Sequence, residues 1–313
     1  MSNRLYNEHV LKRFTKDFYL PIQPCTNELM SYYIDLYDPI FKTREKWQLF
    51  EETLAHFKYD DEFLCYGNTL TNTITEQITS TSAYKEFITC DVDDVMPVNQ
   101  KVKGVPYVKS VNLYKPDNHG KYFISIDLVK ANYQALKTFS KDIVLGTDSY
   151  DQLISKFTDM DYYKSSKCIR QVIFGNLNMS RITRQVRYLN EKVVNLLIDK
   201  GYTPEDILVF TTDEIILKCN NQDFMDKEFC KHLEYDIYVN TGLNARVESF
   251  KLINILDDTY AKEHKEDLPT FKGGSSVYFP QVYKKYMNLP LEERDLYFLY
   301  EKHLAKFEEP LKF

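Results

Sequence analysis

The sequence lacks the features that mark several classes of protein. Its six cysteines include no CxxC pair, and no cluster of cysteines and histidines has zinc-site spacing. No stretch approaches the roughly 18–20 apolar residues of a membrane-spanning helix. The first residues, MSNRLYNEHVLKRF, contain no apolar segment typical of a secretory signal. These absences predict a soluble cytoplasmic protein with reduced thiols and no structural zinc.

Glycine and tryptophan are also scarce, with 9 and 1 among 313 residues, whereas tyrosine (25) and phenylalanine (20) are abundant. The net charge of −6 argues against a surface that is basic throughout, but it allows a local basic groove. The length fits one large domain or two modest ones. The many Asn, Ile and Lys residues are typical of an AT-rich genome, as in phages and viruses, for which the cytoplasm would be that of the host.

The pattern along the chain predicts three regions. Residues 1–95 are predicted to be a largely helical N-terminal region. Residues 96–260 are predicted to form a palm-like domain with a small, fingers-like helical insertion at about 140–200. Residues 261–313 are predicted to form a C-terminal loop and a final helix over about 291–307.

The middle region carries the clearest pattern. The run VPYVKSVNLYKPDNHGKYFISIDLV predicts a β-hairpin around a turn at 115–120, and DILVFTTDEIILKC predicts a second, tighter hairpin. Helical segments lie between the two, and a helix and the strand ARVESFKLINIL follow. This order predicts an α+β fold of βαββαβ plan, an antiparallel sheet with helices on one face. In that plan the first strand and the second hairpin are central neighbours.

Acidic residues lie where these central strands end. Asp127 closes the apolar strand YFISIDLV just before a helix, and Asp213 and Glu214 lie at the tip of the second hairpin. Carboxylates held close together are costly unless a cation neutralises them, and two carboxylates flanking two metal ions are the core of nucleotidyl transfer. We therefore predict Asp127 and Asp213 as ligands of Mg²⁺, or Mn²⁺, with Glu214 in support. The alternative is that each is a solvated turn residue or a helix cap.

The segment between the two strands is basic. DYYKSSKCIRQVIFGNLNMSRITRQVRY carries six basic residues against one acid, and these are Lys164, Lys167, Arg170, Arg181, Arg184 and Arg187. Helical spacing places the two lysines on one face with Gln171, and the first two of the later arginines on another. The first group predicts a nucleotide-binding surface and the arginines predict a nucleic-acid-binding surface. The alternative is a solvated helix surface.

Three segments resemble the palm and fingers motifs of single-subunit nucleic-acid polymerases, especially family A DNA polymerases. ISIDLVKANYQAL is similar to the first motif, a strand that ends in an aspartate and leads into a helix. KSSKCIRQVIFG is similar to the basic fingers helix, and FTTDEIIL to the hairpin that carries His-Asp-Glu, with Thr212 in place of the histidine. The Asp-Glu pair is also similar to the catalytic hairpin of Y-family polymerases.

The resemblance implies a nucleotidyltransferase that binds a nucleoside triphosphate and DNA or RNA. It implies a phosphate-binding role for Lys167 or Arg170, and Tyr133 either lies under the sugar as a ribose gate or packs in the core. The chain departs from family A in the short distance from Asp127 to Asp213, in lacking a tyrosine after the glycine of the second motif, and in having no recognisable thumb. A short-patch, terminal or priming activity therefore fits better than processive synthesis.

Other functions remain open. The same scaffold serves a non-catalytic nucleic-acid-binding or virion-associated protein, and a palm-fold cyclase ranks last because no glycine-rich GGDEF-like hairpin is present. The acids of CDVDDVMP are a candidate metal site or a simple loop. The glycines of FKGGSSVYF can approach a phosphate, but they lack the P-loop pattern, which favours a flexible loop.

Overall fold

A computed structural model describes residues 6–23, 26–108, 110–219 and 226–313. Within these ranges the chain forms thirteen α-helices and ten β-strands. The helices are α1 (Glu8–Asp17), α2 (Asn27–Phe41), α3 (Thr43–Leu54), α4 (Asp60–Ser80), α5 (Ser82–Thr89), α6 (Val92–Val95), α7 (Ala131–Phe139), α8 (Tyr150–Ser155), α9 (Asp161–Ser165), α10 (Lys167–Gly175), α11 (Met179–Asp199), α12 (Lys227–Thr241) and α13 (Phe279–Tyr286). The strands are β1 (Lys101–Val102), β2 (Val105–Pro106), β3 (Tyr122–Leu128), β4 (Ile207–Phe210), β5 (Glu214–Cys219), β6 (Ala245–Leu256), β7 (Thr259–Glu263), β8 (Thr270–Lys272), β9 (Tyr297–Tyr300) and β10 (His303–Lys306). None of the described helices combines the length and the apolar character needed to cross a membrane.

The α+β class predicted from the sequence is confirmed. The main sheet has six strands in the order β4-β5-β3-β6-β7-β8, and every neighbouring pair is antiparallel. The four strands of the predicted βαββαβ plan are present, and β3 lies between β5 and β6. Two further strands, β7 and β8, extend the sheet beyond β6, and the sequence pattern did not predict them.

Strand β3 is buried on both faces along most of its length. Since side chains alternate along a strand, Ile124, Ile126 and Leu128 share one face, and the helices α7, α11 and α12 pack against the strands on that side. The other face carries Phe123, Ser125 and Asp127. An apolar cluster covers part of it: Leu113, Phe123, Val209, Ile216, Phe250, Leu252 and Tyr260. We call this second side of the sheet the acid face, because Asp127 lies at its end.

The chain folds as two compact units. The first contains the described residues within Met1–Ile74, together with Ile154–Ile173 and Gly273–Phe313. The second contains Thr75–Leu153 and the described residues within Phe174–Lys272, and the whole six-stranded sheet belongs to it. The segment predicted as fingers-like therefore contributes to both units.

A buried ion pair organises the C-terminal part of the first unit. The Nζ atom of Lys284 lies 2.8 Å from Asp295 Oδ2 and 2.9 Å from Glu292 Oε1. Asp295 is fully buried, Lys284 is 2% exposed, and the Tyr32 hydroxyl donates to Asp295 Oδ1 at 2.5 Å. Burial alone would lower the pKa of Lys284, but hydrogen bonds with Asp295, Tyr32 and Glu292 hold this pKa above its ordinary value. The lysine is therefore charged and is balanced by buried carboxylate.

The final helix predicted over 291–307 is wrong. The segment forms the hairpin β9–β10 instead, with Tyr297 opposite Lys306 and Tyr300 opposite His303. Glu301 and Lys302 make the connection with positive φ angles of 47° and 69°. Such angles suit a two-residue hairpin turn, and they are normally supplied by glycine or asparagine.

The hairpin predicted around residues 115–120 is only half correct. Its second strand is β3, but the preceding segment pairs with the sheet at one residue, Val108, which bridges to Phe210. The side-chain amide of Asn118 donates to the carbonyl oxygens of Asn112 and Leu113 at 3.0 and 2.9 Å. These bonds fold the segment into short turns, and Leu113 packs onto the acid face.

Candidate active site

The central feature of the acid face is a directly opposed pair of carboxylates. Asp127 on β3 pairs in register with Glu214 on β5 and with Arg246 on β6. Directly opposite residues in an antiparallel pair have Cβ atoms about 4.5–5.5 Å apart. The side chains are 37% and 16% exposed for Asp127 and Glu214, so the pair is reachable from solvent but poorly hydrated. We call Asp127 and Glu214 the acidic pair.

Asp213 lies beside the acidic pair rather than within it. It precedes the first residue of β5, its side chain is exposed, and its Oδ1 atom accepts a hydrogen bond from Thr211 Oγ1 at 3.2 Å. The turn is closed by Thr211, whose N–H donates to the Glu214 carbonyl at 2.9 Å and whose hydroxyl accepts from the Glu214 N–H at 3.1 Å. In the strand register, Glu214 therefore lies directly opposite Asp127, and Asp213 lies in the adjoining turn.

A buried lysine neutralises part of the acidic pair. Lys262 on β7 is 4% exposed, and its Nζ atom lies 2.8 Å from Glu214 Oε1 and 4.6 Å from the ring centroid of Phe250. Arg246 lies further away, with one guanidinium nitrogen 3.9 Å from Asp127 Oδ2 and another 3.3 Å from Glu248 Oε1. Glu214 therefore has a dedicated counter-ion, whereas Asp127 shares a distant one.

The electrostatic consequence appears at Asp127. Burial and the neighbouring charge of Glu214 raise the pKa of Asp127 from 3.8 to about 6, against the opposing effect of Lys262, Arg246 and Lys272. The pKa of Tyr114 is also raised, first by burial and then by the charges of Glu214 and Asp127. The positive charges near the acidic pair are therefore too few or too distant to neutralise both carboxylates. The pair can take up a proton or a further cation.

Lys262, Arg246 and Tyr114 were not predicted from the sequence. The alternation in ARVESF signals that Arg246 and Glu248 share a face with Phe250, and Asp257–Asp258 after LINIL is a turn signal that predicts a further strand. Lys262 alternates with Tyr260 on that strand. Nothing in the sequence indicates that Lys262 is buried, because lysine is rarely buried unless it is paired and its partner is not apparent from the sequence.

Tyr133, predicted as a ribose gate or a core residue, has the environment of a core residue. It is 3% exposed, and its hydroxyl donates to the Thr147 carbonyl at 2.9 Å. The Thr147 hydroxyl lies 3.0 Å away. These contacts favour the packing alternative.

We expect Tyr133→Phe to destabilise the protein, as the loss of a hydrogen bond in the core should. The change removes a buried hydrogen bond and leaves the Thr147 carbonyl unpaired, at a cost of about 1–3 kcal/mol. Thermal unfolding measures this loss, with Tyr238→Phe as the control because Tyr238 is 54% exposed. A changed preference between ribonucleotides and deoxyribonucleotides, with unchanged stability, would restore the ribose-gate alternative.

The other four predicted nucleotide-binding residues lie in the first unit. Lys164 lies in the last turn of α9, 3.2 Å from Asp161. Lys167 begins the separate helix α10, so the prediction that these two lysines share one helical face is wrong. Lys167 Nζ lies 5.0 Å from the ring centroid of Tyr19, and Gln171 accepts a hydrogen bond from the Tyr19 hydroxyl. Arg170, also on α10, is half-buried. The acidic pair belongs to the second unit.

The three later arginines lie on α11 in the second unit. Arg181 and Arg184 donate to main-chain carbonyl oxygens of the segment before β1 at 2.9–3.0 Å. The Arg187 guanidinium stacks 4.5 Å from the Tyr107 ring centroid. The three arginines, Tyr107 and Thr212 help to line a cavity of about 540 Å³. This cavity reaches the residue that precedes Asp213, and the carbonyl bonds limit the donors that the arginines can offer to a ligand.

Oxygen ligands of the kind that Mg²⁺ prefers are present at the acidic pair. Among the residues that the structure describes, no group of three His, Cys, Asp or Glu side chains is arranged to hold a metal ion. Mg²⁺, however, is usually bound through one or two carboxylates, with waters and substrate phosphates completing its shell. Asp127, Glu214 and the adjoining Asp213 fit that requirement. The acids of CDVDDVMP fit it less well, because Asp91 caps α6 and Asp93 pairs with Arg184.

The fold and site together define an α+β protein with an acidic pair at the end of two central strands. No family model, curated protein or solved structure matches the chain.

Proposed function

We propose that the protein is a Mg²⁺-dependent nucleotidyltransferase with a palm-like βαββαβ domain, acting on DNA or RNA. One observation carries the proposal: Asp127 and Glu214 are directly opposed on the two central strands, beside a turn that carries Asp213. This is the placement that the polymerase resemblance implies for metal-binding carboxylates. In the proposal Asp127 and Asp213 hold the metal, and Glu214 supports them.

The metal ion and the basic residues of the chain would have separate roles. When bound, Mg²⁺ supplies activation of the attacking hydroxyl and stabilisation of the leaving group. Arg246 is 61% exposed, and Lys272, on the same sheet face, is exposed. Both offer positive charge to phosphate groups. Lys164, Lys167, Arg170 and Gln171, which belong to the first unit, are the residues proposed to bind the nucleotide.

A second candidate function is binding of nucleic acid without catalysis. The observation that favours it is the cavity lined by Arg181, Arg184 and Arg187, which reaches the turn before Asp213. Stacked tyrosine and arginine side chains suit the bases and phosphates of a single strand. In this alternative the acidic pair and Lys262 form a structural ion pair.

The direct test is incorporation of labelled nucleotides by the full chain, with primers or free ends of DNA and RNA. We expect incorporation that requires Mg²⁺ and is abolished by a chelator. Asp213→Asn should lower the rate by at least about a hundredfold, the equivalent of about 2.7 kcal/mol. Asp117→Asn, a change of the same charge at an exposed position of the second unit, should leave the rate unchanged.

The other outcomes separate the two candidates. Absence of incorporation, together with oligonucleotide binding, would favour the binding function. Its affinity should then fall with salt, with a slope of about 0.7–0.9 per phosphate contact. An active Asp213→Asn variant would remove Asp213 from the proposed metal ligands.

A further inference from the structure

Lys262 is an unusual residue for the edge of an active site. It lies on β7 opposite Leu252. Its Nζ atom lies over the ring of Phe250, a member of the apolar cluster, and reaches Glu214. Lysine normally keeps its ammonium group in water. Here the whole residue is 4% exposed, so the fold holds the ammonium group against the carboxylate rather than leaving it to solvent.

The ammonium group lies at the Glu214 oxygen where a metal ion would have to bind. A carboxylate can accept several partners, but a cation of charge +1 at 2.8 Å from Glu214 Oε1 repels a divalent cation at the same oxygen. In a poorly hydrated site this repulsion is only weakly screened. Meanwhile the acidic pair holds two carboxylates against this one close positive charge. The acidic pair therefore attracts a second cation, but the ammonium group of Lys262 hinders the binding of that cation.

We propose that Lys262 is the resident counter-ion of the acidic pair and leaves Glu214 when that carboxylate takes a divalent cation. The inference rests on the proposed function, since it concerns the same cation site. In both states Glu214 has a counter-ion, so the fold does not depend on metal. Lys262 thereby sets the metal concentration at which the site fills.

The test measures binding of Mn²⁺ alone by calorimetry. Lys262→Met keeps the length of the side chain and removes the competing charge, so the Kd for Mn²⁺ should fall by at least about tenfold. Lys251→Met is the matched control, because it removes the same charge from the opposite face of β6 and should leave the Kd unchanged. Adding Glu214→Gln to Lys262→Met should abolish the gain.

A second measurement uses the wild-type chain, so that it does not depend on how the variant folds. Reductive methylation followed by mass spectrometry reports the accessibility of each lysine. Lys262 should be protected without metal and modified faster once Mn²⁺ is added, whereas Lys251 should react at one rate throughout. Protection of Lys262 that Mn²⁺ does not change would overturn the proposal.

The remaining outcomes separate this inference from the proposed function. Nucleotide incorporation with the same Mn²⁺ affinity in Lys262→Met and Lys251→Met removes the counter-ion role and leaves the enzyme. Release of Lys262 by Mn²⁺ without any incorporation leaves the counter-ion role and removes the enzyme. Absence of Mn²⁺ binding in the wild type and in Lys262→Met removes both.

Discussion

Asp127→Asn should abolish nucleotide incorporation while making the folded protein more stable at neutral pH. Asp127 is the proposed metal ligand on the central strand, and the charge stabilisation that a metal supplies is worth several kcal/mol. At about 1.36 kcal/mol per tenfold, the loss of this ligand should lower the rate by at least about a thousandfold. Incorporation of labelled nucleotide by matched amounts of both proteins measures the change.

The gain in stability follows from the raised pKa of Asp127. Its pKa in the folded protein, about 6, exceeds the ordinary value of 3.8. Between these two pH values the folded protein still holds the proton, whereas the unfolded chain has lost it. Stability therefore falls as the pH rises through this window, and it stays lower above the window. Asparagine removes this penalty. The melting temperature of the variant should exceed that of the wild type at about pH 8, and the difference should shrink toward about pH 4.

This combination separates a lost metal ligand from a damaged fold. Asp117→Asn, which changes an exposed acid of the same unit, should alter neither the rate nor the pH dependence. An Asp127→Asn variant that keeps activity within about threefold of the wild type, about 0.65 kcal/mol, would show that Asp127 is not a ligand. A variant that melts earlier at every pH would place Asp127 among the structural residues.

Lys284→Met should destabilise the first unit by about 3–5 kcal/mol, because it leaves Asp295 buried without its counter-ion. The effect is large because both partners are almost completely inaccessible. The chain has one tryptophan, and Trp47 is buried among the aromatic rings of Tyr6, Phe14 and Phe50 in the first unit. Its fluorescence during urea denaturation therefore reports unfolding of that unit.

Two further variants define the cause. Lys285→Met changes the exposed neighbouring lysine and should shift the transition little. Adding Asp295→Asn to Lys284→Met should recover part of the loss, since the uncompensated charge is then gone. An unshifted transition in Lys284→Met would mean that the pair contributes no net stability.

The central strands could be predicted because the pattern of their apolar residues and turns is typical of strands. The apolar run of β3 and the tight hairpin around Asp213 have periods and turn residues that fit strands, and the predicted strand ARVESFKLINIL is β6 without change. The meeting of acids at the end of these strands followed from the plan. Which acid faces Asp127 did not follow, since a shift of one residue in register exchanges Glu214 for Asp213.

The failures have equally specific causes. The hairpin β9–β10 was predicted as a helix because Glu301 and Lys302, both good helix formers, occupy the left-handed turn usually marked by glycine or asparagine. The basic residues were counted together along the chain, whereas Lys164, Lys167 and Arg170 belong to one unit and the three later arginines to the other. Lys262 was missed because a sequence does not reveal that a lysine is buried.

The turn from Thr211 to Glu214 has a consequence for how this chain can vary. Surface loops usually accept extra residues at small entropic cost. Here the Thr211 hydrogen bonds fix the loop length, and Glu214 begins β5 directly opposite Asp127. A single inserted residue would move every following side chain of β5 to the other face. Changes of length in related chains should therefore accumulate elsewhere, and this turn should keep its number of residues even where its residue types differ.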